Sequence, residues 1–94
     1  QMGREPMNRQ EILTSACKAV SDREENYGPA ASNFQTIADL WSAMLGEKLL
    51  SRITIEEVAM LMCCVKLARL KYAPDHTDSA IDLAGYAALL GEIS

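Results

Sequence analysis

Apolar and polar residues follow a helical period along almost the whole chain. In four separate stretches, apolar side chains recur three or four positions apart, which is the spacing that lines one face of an α-helix. We find no stretch with the strict apolar and polar alternation of a half-buried strand. The pattern predicts four helices joined by short connections, and therefore an all-α four-helix bundle.

The first predicted helix has a signal at each end. Asn8 followed by Glu11 resembles an N-cap with its reciprocal partner, so the helix is expected at residues 9–24. The Gly28-Pro29 step then forces a turn, because proline cannot continue a helix.

The second helix is expected at residues 33–45. Ser32 and Gln35 have the spacing of a capping box at its start, and Gly46 is suited to the position just after its end. A strong apolar stripe runs between these signals, so one face of this helix should lie in the core.

The third stretch, residues 54–72, is apolar on nearly every face. Thr54 and Glu57 form a capping box at its start. A helix that is apolar all round belongs inside a bundle or between subunits, so we expect the rest of the chain to pack around it. The charged residues between positions 55 and 70 are Glu56, Glu57, Lys66 and Arg69.

The last helix is expected at residues 76–93. Pro74 ends the preceding helical region, and Asp75 with Asp78 can cap the new helix. Small residues let another helix approach closely, and this helix is rich in them: Ala80, Ala84, Gly85, Ala87 and Ala88.

Chain length and charge restrict the classes of partner. The chain of 94 residues makes one domain at residues 7–94, and residues 1–6 are expected to be an expression-tag remnant. A domain this small buries about 60 to 65% of its unfolded surface, so we expect a homo-oligomer. The net charge of −4 argues against a nucleic-acid partner, and binding of phosphates would need a metal ion or local cations. No segment resembles a secretory signal or a membrane span, which predicts a cytoplasmic location and no membrane partner.

The three cysteines argue against zinc. Cys17, Cys63 and Cys64 contain no C-x-x-C pair, and the chain has a single histidine. Buried free thiols in a reducing compartment are expected instead.

Acidic residues on the last two helices suggest a metal site. Asp78 and Asp82 are four residues apart, so on a helix their carboxylates lie about 6 Å apart on one face. If Glu57 faces them, the three oxygen ligands would suit Mg²⁺ and form a catalytic centre. The alternative is structural, with Asp78 a first-turn acid favoured by the helix dipole and Glu57 the acidic half of a cap.

A pair of cations and a polar turn are candidates for nucleotide binding. Lys66 and Arg69 share a helix face and can bind phosphate oxygens, or else extend to solvent or pair with a carboxylate. Asn26, Tyr27 and Asn33 lie at the first turn, where a ring beside amide groups can stack on and hydrogen-bond a nucleobase. The same residue types also suit any turn between helices.

Several runs of residues resemble a small phage and prophage domain family of unassigned function, over nearly all of the chain from Met7 to Glu92. The last run is the most specific for that family. The runs are Asn26-Tyr27-Gly28, Asn33-Phe34, Glu57-Val58-Ala59, Lys66-Leu67-Ala68-Arg69 and His76-x-Asp78-Ser79-x-x-Asp82-x-Ala84-Gly85-Tyr86-Ala87.

More remotely, the order of helices is similar to that of MazG-type nucleoside triphosphate pyrophosphohydrolases. That resemblance implies dimers or tetramers, Mg²⁺ held by acids of two helices, and hydrolysis of an NTP or dNTP to the monophosphate and pyrophosphate. Glu56 and Glu57 would stand in the first acidic motif, and Asp82 at the end of the second.

The chain departs from both MazG motifs. The first motif normally has a second glutamate three residues on, where this chain has Ala59 and Met60, and Ser79 occupies the glutamate position of the second motif. Three hypotheses follow. The protein is a Mg²⁺-dependent nucleotide pyrophosphohydrolase, or it is a non-catalytic module that binds a nucleotide or a host protein. The third is a structural helical oligomer whose acids are helix caps.

Overall fold

A computed structural model describes residues 7–94, and this part of the chain contains four α-helices and no β-strand. The expected all-α class is therefore confirmed, whereas the proposed tag remnant at residues 1–6 lies outside the described residues. A short 3₁₀ turn, Gly46–Lys48, follows the second helix. The helices are α1 (Arg9–Tyr27), α2 (Ala30–Leu45), α3 (Ile55–Tyr72) and α4 (Thr77–Ile93).

Two capping boxes begin α1 and α3, as predicted. At α1 the Glu11 N–H donates to Asn8 Oδ1 over 2.8 Å, and the Asn8 N–H donates to Glu11 Oε1 over 3.0 Å. At α3 the Thr54 N–H donates to Glu57 Oε1 over 2.9 Å, and the Glu57 N–H donates to Thr54 Oγ1 over 3.1 Å. Each box satisfies two backbone donors that the helix start leaves unpaired.

The junction between α1 and α2 differs from the prediction. α1 continues to Tyr27 and ends at Gly28, whose φ of +78° favours glycine. α2 then begins at Ala30 with Pro29 at the N-cap position and no side-chain cap, so the capping box expected at Ser32 is wrong. The ring of Pro29 sets its φ at −55°, which directs the chain into α2 without a side-chain acceptor.

The start of α4 also lacks the predicted aspartate cap. His76 is the N-cap residue and makes no side-chain bond to the helix backbone, so the capping role expected of Asp75 is wrong. His76 Nδ1 instead lies 2.6 Å from Oγ of Ser79, which is buried. This side-chain pair links the loop to the first turn of α4.

α4 contacts all three other helices, and α2 also packs on α3. The approach of α1 to α4 is close at Gly85, where an added methyl group would lie 3.5 Å from Val20 Cγ2. The small residues of α4 therefore allow the close helix approach that was expected. The central core cluster consists of Phe34, Ala38, Val58, Ala59 and Leu89.

α3 is covered on one side only. Val58 and Ala59 are fully buried, but the apolar residues on the opposite side of the helix are exposed. In a single chain, α3 is therefore an edge of the bundle rather than the enclosed element that its composition predicts.

The three thiols are free but are not buried as predicted. Cys17 and Cys64 are exposed, and Cys63 is partly buried. Burial, and secondarily the neighbouring Cys64, raises the pKa of the Cys63 thiol. In the described range, no helix is long and apolar enough to cross a membrane.

Candidate functional site

The side chain of Arg23, on α1, is surrounded by three aromatic rings. Its Cζ lies 5.5 Å from the ring centroid of Tyr27, 5.3 Å from that of Phe34 and 5.4 Å from that of Tyr86. These rings come from α1, α2 and α4, so the guanidinium lies where three helices meet. All three distances are within the range of cation–π attraction.

Hydrogen bonds satisfy only part of the Arg23 guanidinium. Nη2 donates to Asn33 Oδ1 over 2.7 Å, and Nη1 makes a longer contact of 3.4 Å with Tyr86 Oη. Nε is buried and has no hydrogen-bond partner among residues 7–94. The ion pairs of this part of the chain do not include Arg23, so no described carboxylate forms an ion pair with it.

A cavity of about 110 Å³ lies beside Arg23, between α1 and α4. Arg23, Asp82 and Tyr86 supply its polar groups, and its remaining walls are Ala19, Val20, Ile81, Gly85 and Leu89. We call Arg23, its three rings, Asn33 and this cavity the Arg23 site.

An ion pair borders the Arg23 site on the side of α3. Lys66 Nζ lies 3.1 Å from Asp82 Oδ2, and the side chains are 13% and 42% exposed respectively. Of the alternatives for Lys66, pairing with a carboxylate is the one that the chain adopts. Asp82 thus pairs with Lys66 and also lines the same cavity as Arg23.

The three acids expected to hold Mg²⁺ do not form a cluster within one chain. Glu57 is exposed and occupied in the α3 cap, Asp78 is exposed on the first turn of α4, and Asp82 pairs with Lys66. Among the residues described, no three side chains of His, Cys, Asp or Glu form a group able to hold a metal ion. A single chain therefore does not bring the three predicted ligands together, and Mg²⁺ binding stays a prediction.

The remaining predicted nucleotide ligands divide into two groups. Tyr27 and Asn33 belong to the Arg23 site. Asn26 and Arg69 are exposed, and neither makes a side-chain hydrogen bond or ion pair within residues 7–94. Arg69 lines a separate open groove, which shares no lining residue with the cavity at Arg23.

Sequence reasoning did not identify Arg23 and assigned no role to Tyr86. The spacing of residues in α1 contains a signal for Arg23. Arg23 lies three residues after Val20 and four before Tyr27, at a position on the inward face of the helix. A charge at such a position needs a partner from another element, and the sequence alone does not show which one.

Comparison with known proteins indicates a phage family. A family profile described as "Domain of unknown function (DUF6378)" matches residues 11–94. The chain is 39% identical over 80 residues to the Gene 55 protein of Mycobacterium phage L5, covering 84% of this chain and 49% of that protein. It is 42% identical over 83 residues to the Gene 55 protein of Mycobacterium phage D29, covering 87% of this chain and 52% of that protein.

These matches confirm the expected relation to a small phage family of unassigned function. The chain spans about half the length of each of the two phage proteins. No solved structure matches it.

Proposed function

Because the chain belongs to the DUF6378 family, whose description names no activity, we propose its function from the site alone. We infer that it is a phage nucleotide-binding module, which binds the phosphates of a nucleoside or deoxynucleoside triphosphate at the Arg23 site. One observation carries this proposal: a guanidinium lies beside a cavity with no carboxylate partner among the described residues.

The energetics of Arg23 favour an anionic ligand. Removing a charge from water is costly unless it is paired, and cation–π contacts return about 0.5 to 2 kcal/mol each. A phosphate in the adjoining cavity would supply the missing negative charge. Arginine presents its donors in a planar fork that matches two phosphate oxygens, so the contact would be charge-assisted and directional.

Several features favour a nucleotide over a simple anion. The chain carries a net charge of −4, so phosphates need a local cation. Arg23 supplies one, whereas the charge of Lys66 is already paired with Asp82. A cavity of about 110 Å³ is too small for a whole nucleotide, so the base and sugar would lie outside it. Tyr27 is 64% exposed beside Arg23 and offers a ring on which a base can stack.

Magnesium-dependent hydrolysis stays a separate prediction. The predicted acids do not cluster within the described part of one chain, so we assign no catalytic step to Glu57, Asp78 or Asp82. The MazG-like fold and the release of monophosphate and pyrophosphate likewise remain expectations from the resemblance. The proposed binding at Arg23 does not depend on either of them.

Titration calorimetry with the common NTPs and dNTPs, with and without Mg²⁺, tests the proposal. The wild type should bind at least one of them, and Arg23→Gln should weaken binding about 10- to 100-fold, as expected for the loss of a charge-assisted hydrogen bond. Arg9→Gln is the matched control, because it removes the same charge from an exposed position on α1 and should leave the affinity unchanged. Circular dichroism checks that each variant is folded.

Arg23→Lys provides a second test, because it keeps the charge and loses the planar fork. An intermediate affinity would support phosphate binding by Arg23. Equal affinity of wild type and Arg23→Gln, or no binding of any nucleotide by folded wild type, would contradict the proposal. The latter result would favour the host-protein-binding module.

A turnover assay separates the enzyme from the binder. The wild type is incubated with each bound nucleotide and Mg²⁺ or Mn²⁺, and chromatography measures monophosphate and pyrophosphate. Release of both products would confirm the predicted hydrolase, whereas binding with the nucleotide left intact would identify a non-catalytic module.

A further inference from the structure

The outer face of α3, turned away from α4, is apolar in its middle and charged at its two ends. At 100° per residue, seven residues fall within a sector of about 120° on this face. Met60 is 46% exposed, Leu61 44% and Leu67 53%, which is unusual for a continuous set of large apolar side chains. We call these seven residues the α3 stripe: Glu57, Met60, Leu61, Cys64, Leu67, Ala68 and Lys71.

The α3 stripe is complementary to itself when reversed. Cys64 lies midway between Glu57 and Lys71, and it is also the midpoint of two further pairs, Met60 with Ala68 and Leu61 with Leu67. Reversal therefore places an acid opposite a base, a large side chain opposite a small one, and leucine opposite leucine. A stripe that binds an unrelated helix has no reason to show this symmetry.

We propose that the α3 stripe is a homodimer interface, in which two copies of α3 pack antiparallel about a twofold axis at Cys64. Each Glu57 would face Lys71 of the other copy at the ends of the contact, and Met60 and Leu61 would pack against its Ala68 and Leu67. An interface between identical chains about a twofold axis requires such a self-complementary surface.

The spacing of the stripe fits helix pairing. Positions 57, 60, 64, 67 and 71 alternate steps of three and four residues, which is the seam spacing of a two-helix coiled coil. A parallel pair in register would place Glu57 against Glu57 and Lys71 against Lys71, and like charges opposite each other are unfavourable. The charges therefore select the antiparallel arrangement.

Sedimentation velocity tests self-association. The wild type should sediment as a dimer, with about twice the chain mass of 10.3 kDa, at micromolar concentration. Leu61→Glu should produce a monomer, because it places charges inside the contact, and Leu50→Glu should remain dimeric, because Leu50 is fully exposed in a loop. A wild type that stays monomeric at every concentration would overturn the proposal.

A charge exchange tests the orientation. Lys71→Glu should weaken dimerisation about 2- to 30-fold, because it replaces two surface ion pairs by two like-charge contacts. Adding Glu57→Lys to that variant should restore the dimer, even though it removes the α3 capping box and lowers thermal stability. Failure of the double variant to recover affinity would overturn the antiparallel register.

Cross-linking with a short bismaleimide locates the twofold axis. The wild type should form a covalent dimer, which Cys64→Ser should abolish and Cys17→Ser should leave intact. Cross-linking that depends on Cys17 would show that a different face dimerises. If the chain is folded and monomeric, and Cys64 is protected from the maleimide only within a longer polypeptide, then another segment covers the stripe. That result would also overturn the proposal.

Discussion

Arg23 illustrates how a charged residue is kept on the inward face of a helix. Three rings and one short hydrogen bond, donated to Asn33 Oδ1, accommodate the guanidinium, and within residues 7–94 no carboxylate forms an ion pair with it. These contacts offset only part of the cost of removing the charge from water. A ligand that binds the guanidinium should therefore stabilise the fold.

The ring of Tyr86 should matter more to stability than its hydroxyl. Tyr86→Phe loses only a contact of 3.4 Å, so urea denaturation should show a change below about 0.5 kcal/mol. Tyr86→Leu also removes a cation–π partner and should lower the free energy of unfolding by about 1 to 2 kcal/mol. A larger loss for the phenylalanine variant would mean that the hydroxyl holds Arg23 in place.

At the scale of the elements, α3 begins directly after the capping box residue Thr54. Glu57 and Thr54 satisfy each other's backbone donors, and the following turns bury Val58 and Ala59. The local signal and the core contact therefore agree, which is why the start of α3 was predictable. The position where α4 starts was predicted to within one residue, but its cap was not, because the first-turn contact is between the side chains of His76 and Ser79 rather than between a side chain and the backbone.

Thr54→Ala should lower the free energy of unfolding by about 1 kcal/mol, because it removes the acceptor for the Glu57 N–H. Thermal denaturation monitored by circular dichroism measures the change. Thr14→Ala is the matched control, since Thr14 is exposed within α1 and caps nothing, and it should be neutral or slightly stabilising. Equal effects of the two substitutions would show that the cap contributes nothing.

At the scale of the whole molecule, the bundle is asymmetric in its coverage. α4 contacts every other helix, whereas α3 leaves its outer face uncovered. The composition of α3 identified a helix with apolar residues on all sides. The packing shows that one chain covers only half of it, which leaves the α3 stripe for the proposed second copy.

Gly85 should tolerate a methyl group but not a larger side chain. A methyl there meets Val20 at 3.5 Å, an ordinary contact, so Gly85→Ala should preserve or raise stability by up to about 1 kcal/mol. Gly85→Leu should separate α1 from α4 and destabilise the fold by about 1 to 3 kcal/mol. Gly91→Leu is the control, because nothing lies within 4 Å of that position. Denaturant unfolding measures the free energy of unfolding of both variants. An equal loss in the two leucine variants would contradict the close approach of α1 to α4.

The candidate site was predictable only in part. Tyr27, Asn33, Lys66 and Asp82 were selected as polar or aromatic residues at informative spacings, and the structure places them in or beside the Arg23 site. The acids Glu57 and Asp78 were selected in the same way, but the structure leaves both exposed and brings neither into a metal-binding group with Asp82. Spacing along a helix shows which residues share a face, but not what that face meets.

The sequence by itself determined the four helices, two of their caps and the glycines that end α1 and α2. These features depend on contacts within about four residues, where backbone geometry and side-chain reach leave few alternatives. The tertiary structure alone decided that Arg23 meets Tyr86, that Lys66 pairs with Asp82 and that α3 lies at an edge. Those partners are 63 and 16 positions apart, and only the packing of α4 between α1 and α3 brings them together.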